Sequence, residues 1–175
     1  MGVAATHLDW TMVPYVRKSL FKHFLVSYLK DQPDFLDLNL LDLTLETYTD
    51  SVGIERNRFD DWVDSNKSKC LVELGLTEED FYLGNEKLEK KHYQAALYDV
   101  IVEVKQAVEG MYHNLNTLQS RSGNQLPFTS INYGTCTLEE GRLVINALLM
   151  GSLKGVGMLH KTPIFPKHHW GIKTR

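Results

Sequence analysis

Cysteine is scarce in this chain: Cys70 and Cys136, 66 positions apart, are the only two in 175 residues. Two thiols at that distance exclude the paired spacing of a zinc ribbon and the density of a secreted disulfide scaffold, so reduced thiols in a cytoplasmic protein are expected. Long apolar runs are missing too. Nothing approaches the ~20 residues of a membrane span, and Met1 is not followed by the basic stretch and apolar block of a signal peptide; a soluble chain without a membrane partner is expected. The aromatic pattern of RNA-binding motifs and the spacing of a helix-turn-helix are lacking, so no nucleic-acid partner is expected either. Acid is absent after Glu140, where charge rests on Arg142, Lys154, Lys161, Lys167, Lys173 and Arg175 alone.

What is present fits a globular domain, at 43% hydrophobic, 10% aromatic and 23% charged. A chain of this length can bury roughly 70% of its unfolded surface. The net charge of −3 hides an asymmetry: Asp31 to His92 holds 16 acidic and 7 basic residues, and the remainder 6 acidic and 12 basic. The basic end reads either as a solvated tail or as a surface that meets polyphosphate.

Val13, Val16, Leu20, Phe24 and Tyr28 recur at spacings of three and four, predicting a helix from Thr11 to Lys30 with Pro14 in its first turn. Pro33 ends it, because the proline ring disfavours helical geometry in Gln32. Residues 34–92 read as short helices and loops. From Tyr93, the series Leu97, Val100, Val104, Ala107, Met111, Leu115 and Leu118 predicts a long helix over 93–119 with one buried face, and Gly110 inside it suggests close packing. Ser120 to Asn124 are turn formers. In the strand that follows, Phe128, Ser130 and Asn132 share one face, and Thr129, Ile131 and Tyr133 the other. Thr137 and Glu140 have the spacing of a capping box, which predicts a helix closed by Gly155-Val156-Gly157. Thr162 to Pro166 reads as extended. The order helix, strand, helix, strand from residue 93 favours a parallel α/β arrangement with the two strands side by side.

Among groups that could carry chemistry, Cys136 sits at a helix mouth, where the dipole lowers a thiol pKa; it also reads as a small residue tolerated in a turn. His160, His168 and His169 with Cys136 make a poor metal set, since adjacent strand residues point to opposite faces. Gly123, Asn124 and Gln125 offer amides and backbone N–H groups, continued along the strand by Ser130 and Asn132. Such neutral donors and acceptors suit a ribose or phosphate, or equally a polar edge strand facing water.

The run Asn114 to Leu118, Ser120 to Thr135, Glu140-Gly141-Arg142 and Thr162 to Pro166 resembles anaerobic (class III) ribonucleoside-triphosphate reductases, with Val13 to Lys18 and Lys22-His23 resembling an earlier stretch of the same proteins. The resemblance implies an α/β chain: a helix-rich fragment of a ten-stranded α/β barrel with one or two strands. It divides the chain into a helix of the effector and dimer region (1–30), an acidic helical insertion (31–92), a half-barrel helix-strand-helix-strand segment (93–166) and a divergent tail (167–175). It implies a role in reducing ribonucleoside triphosphates to deoxyribonucleotides anaerobically, for DNA synthesis. Gly123, Asn124, Gln125, Pro127, Phe128 and Ser130 would form the floor of the substrate pocket. Lys22 and His23 would lie near the site of a deoxynucleotide or ATP effector, although they also read as a solvated pair. In the full-length family a glycyl radical, zinc and formate as reductant are expected, with a homodimer and a radical-SAM activating enzyme as partners. Neither Cys70 nor Cys136 matches the family's radical cysteines, so no catalytic or metal residue is assigned here, and the chain reads as a truncated internal piece, inactive alone. The alternative is a non-catalytic helical interaction module that offers helix 93–119 to a partner.

Overall fold

The computed structural model describes residues 2–31, 47–49, 51–53, 55–117, 128–155 and 166–170. In chain order its elements are β1 (Gly2–Ala5), α1 (Leu8–Lys30), β2 (Thr47–Thr49), β3 (Glu55–Asn57), α2 (Arg58–Leu74), a 3-10 turn (Glu78–Asp80), α3 (Lys90–Thr117), β4 (Phe128–Tyr133), α4 (Glu139–Lys154) and β5 (Lys167–Trp170). They fall into two units, Met1–Lys18 with Tyr98–Arg175, and Ser19–Leu97. No helix among the described residues is long and apolar enough to cross a membrane.

The first unit is built on a three-stranded sheet in the order β1-β4-β5. All pairs are parallel, with Gly2 opposite Phe128, Ala5 opposite Ile131, and Ser130 opposite Lys167. A second strand does run parallel beside β4, but it lies later than expected: β5 is Lys167–Trp170, inside the stretch expected as a divergent tail, and residues 162–165 of the expected extended segment lie outside the described residues. The count of one or two strands is too low, however: five are found among the described residues. β1 escapes a pattern reading because Gly2-Val3-Ala4-Ala5 has no alternation of polar and apolar residues. The core of this unit comes from Val13 and Val16 of α1, Val100, Val108 and Tyr112 of α3, Ile131 and Tyr133 of β4, and Val144, Ile145, Ala147 and Leu148 of α4.

Several local expectations need correction. Helix α1 begins at Leu8, so Pro14 is its seventh residue, beyond the first turn, and the Trp10 carbonyl lacks its helical N–H donor. On α3 the buried positions include Val108 and Tyr112, whereas Ala107 is exposed and Met111 half-buried. Tyr112 wins the inward position because its hydroxyl donates to the Leu148 carbonyl at 2.9 Å while its ring and Val108 lie against Gly151, so close that a Cβ there would meet both at 3.0 Å. Gly110 is exposed with open space around it, so close packing does not explain it. Helix α4 ends at Gly155, whose φ of 79° suits glycine and whose N–H bonds the Gly151 carbonyl.

In the second unit, the acidic stretch contains an antiparallel hairpin, Thr47 opposite Asn57 and Thr49 opposite Glu55, and the 17-residue helix α2, where only short helices and loops were expected. Leu36 to Leu45 lie outside the described residues. An aromatic cluster centres on Phe81, edge-on to Phe21 at 4.8 Å and to Phe24 at 5.3 Å. Each such pair contributes roughly 0.5–1.5 kcal/mol beyond burial. His92 is buried beside Phe24 and Tyr28, with its Nδ1 2.9 Å from Ser27 Oγ.

Candidate functional site

β4 alternates as its residues dictate. Thr129, Ile131 and Tyr133 are buried, Ser130 and Asn132 are half-buried, and Phe128 is 47% exposed. Burial pushes the Tyr133 phenol above its ordinary pKa, consistent with a ring facing inward. The other face thus presents an aromatic ring, a hydroxyl and an amide in a row, the uncharged donor and acceptor set suited to a sugar or a base edge. Phe128 and Ser130 share this less buried face of β4, as strand alternation predicts. Gly123, Asn124, Gln125 and Pro127 lie outside the described residues.

At the carboxyl end of β4 the chain turns through Gly134, whose φ of 104° is the left-handed region that favours glycine. Three successive backbone N–H groups, of Gly134, Thr135 and Cys136, then donate to a single oxygen, Asp9 Oδ2, at 2.9, 3.0 and 2.9 Å. The second oxygen, Oδ1, accepts from the Trp10 N–H at 3.1 Å. Asp9 is fully buried in the first turn of α1. Converging backbone dipoles of this kind stabilise a negative charge without a cation. Next to it, His7 takes φ 54°, and its carbonyl accepts from the N–H and the hydroxyl of Thr11 at 3.0 and 3.1 Å.

The capping box expected between Thr137 and Glu140 does not form. Leu138 occupies the N-cap of α4 and supplies no side-chain acceptor, so the frame is one residue later than the motif requires. Glu140 is instead 2% exposed and accepts from Arg17 Nε at 2.8 Å, a charge-assisted contact between α4 and α1. Sequence reasoning missed Asp9, Arg17 and this role of Glu140. Cys136 is buried with its Sγ against Gly141, where a Cβ would come within 2.4 Å of it. The geometry thus gives Cys136 the packing role of a small residue in a turn. Cys70 belongs to the other unit, and burial first, then Glu73, pushes its thiol up. Among the described residues no group of three or more His, Cys, Asp or Glu could hold a metal ion.

Lys22 and His23 lie in the second unit. Lys22 Nζ is 2.7 Å from Asp60 Oδ1, and His23 is half-buried. A phosphate at Lys22 would therefore compete with a carboxylate already in place.

The comparisons with known proteins agree with one another. The family described as anaerobic ribonucleoside-triphosphate reductase matches residues 1–175. Proteins named anaerobic ribonucleoside-triphosphate reductase are similar in part. The one from Haemophilus influenzae is 37% identical over 67 residues, 38% of this chain and 9% of that protein. The one from Enterobacteria phage T4 is 40% identical over 65 residues, 37% of this chain and 11% of the relative. The one from Escherichia coli is 33% identical over 73 residues, 42% of this chain and 10% of the relative. The chain thus matches about a tenth of the length of these curated relatives.

Proposed function

Because this chain belongs to the anaerobic ribonucleoside-triphosphate reductase family, we propose that it carries the first substrate-side strand of a catalytic subunit that reduces ribonucleoside triphosphates to deoxyribonucleoside triphosphates for DNA synthesis. The observation that carries this reading is β4. Its outward face combines Phe128, an apolar platform, with Ser130 and Asn132, whose hydroxyl and amide can hold ribose hydroxyls without adding charge. The loop bearing Gly123, Asn124 and Gln125, followed by Pro127, completes the pocket floor in this proposal.

The chain's own part is binding and orientation. Glycyl-radical chemistry, with formate as reductant, belongs on this proposal to the full-length enzyme, as do zinc, the homodimer and the radical-SAM activating partner. Cys136 lies packed against Gly141 and Cys70 is buried, so neither thiol is presented for radical exchange, and the 175 residues alone should show no turnover. Lys22 and His23 remain the proposed contacts for a dNTP or ATP effector, with Asp60 as the group that the triphosphate must displace. The alternative, an interaction module offering the long helix, is less well supported. The stripe of α3 at Val108 and Tyr112 is already used against α4 of the same chain.

The test is Asn124→Ala with Gln125→Ala, and separately Ser130→Ala, built into an intact homologous reductase. Substrate groups left without partners should lower kcat/KM by more than about tenfold in the double variant. Unchanged kinetics in both would sink the assignment.

A further inference from the structure

The turn that ends the proposed substrate strand takes its shape from a residue at the other end of the chain. Three N–H groups converging on one oxygen make a nest of the kind that elsewhere holds an anion, and here the chain's own buried carboxylate fills it. The nest is therefore not a ligand site. The turn's own hydroxyl takes no part: Thr135 Oγ1 is buried without a hydrogen-bond partner. The acceptor comes instead from 125 to 127 residues away. A carboxylate so placed fixes three consecutive peptide planes immediately after Asn132 and Tyr133, and it joins the first turn of α1, which follows β1, to the turn leaving the adjacent β4.

We propose that Asp9 is a positioning residue for nucleotide binding: it touches no ligand, and it holds the carboxyl end of β4 so that Ser130 and Asn132 meet the nucleotide in one arrangement. This rests on reading β4 as the substrate strand. A site held ready in its binding geometry loses less freedom when the ligand arrives, and nucleotide binding should in turn tighten the Asp9 hydrogen bonds.

The experiment uses the whole 175-residue chain, labelled for amide NMR, with CTP as the probe. In the unaltered chain, CTP should shift the amides of Phe128 to Tyr133 and slow hydrogen exchange at Gly134, Thr135 and Cys136. Asp9→Asn, which keeps one acceptor oxygen, should raise the Kd on the order of tenfold while amides outside the turn keep their positions. Lys154→Ala, which breaks an exposed ion pair with Glu109, should leave the Kd unchanged. Equal affinity in Asp9→Asn and the unaltered chain would overturn the role of Asp9 and leave the substrate strand standing. Absence of any CTP-induced shift on β4 in the unaltered chain would instead overturn the substrate strand, and the role of Asp9 with it. Should Asp9→Asn fail to fold, the unaltered chain still decides: CTP that shifts β4 without slowing exchange at residues 134 to 136 refutes the positioning role.

Discussion

Gly141 marks a place where one methyl group decides packing. A Cβ there would sit 2.4 Å from Cys136 Sγ and 2.7 Å from its Cβ, so Gly141→Ala should cost about 1–3 kcal/mol in thermal or denaturant unfolding. Cys136→Ala removes the nearer clash, and the double variant should be less destabilised than the summed single losses. Strict additivity would show that the contact is not the cause. Acid sensitivity belongs to Asp80, whose carboxyl is held down to about 2 by the Thr77 backbone N–H, then by Lys87 and the Thr77 hydroxyl. A depressed carboxylate contributes stability above its unfolded pKa of roughly 3.9, which is lost as pH falls through the folded value. Asp80→Asn should flatten the loss of stability between about pH 4 and 2; a pH–stability curve identical to the parent's would contradict this. These residues differ in how legible they are. The outward Ser130 and Asn132 follow from strand alternation. Asp9 does not, because an acid in a helix's first turn looks like an ordinary exposed partner of the dipole, and the groups it binds are backbone N–H groups with no residue identity to read.

Element by element, periodicity locates α1 and α3, and misjudges which edge of the α3 stripe is deepest. Ala107 and Met111 look more apolar than Tyr112, yet the tyrosine can bury its ring once Leu148 accepts its hydroxyl, and Val108 turns inward with it. Burial pushes the Tyr112 phenol up to about 12, as such a position requires. Val108→Ala should therefore cost about 2 kcal/mol, and Ala107→Ser should stay within about 0.5 kcal/mol. Equal losses in chemical denaturation would restore the stripe read from hydropathy. The hairpin and β1 were not legible, since segments of three or four residues are too short to show a period of two. The capping frame of α4 failed for another reason: Glu140 had a better partner in Arg17, which no local motif contains.

At the scale of the whole molecule, the boundaries between the two units fall inside α1 and α3, outside the ends of the acidic stretch 31–92 that the charge count sets apart. That a second strand would run parallel beside β4 was legible from the alternation of elements, whereas its place at Lys167–Trp170 and the pairing of β1 on the other side of β4 were not. Deleting Met1 to Thr6 removes β1, and amide exchange should then accelerate throughout β4 while the amides of α2 in the second unit keep their protection. Retained protection in β4 would mean that β1 contributes nothing to holding it. The pairing of Gly2 with Phe128 has a temporal side as well. A ribosome adding about 5–20 residues per second delivers the partner strand roughly 6–25 s after the first strand is made. Throughout that interval the newly made β1 lacks its β4 partner, and the Asp9 carboxylate lacks the three N–H donors of residues 134 to 136.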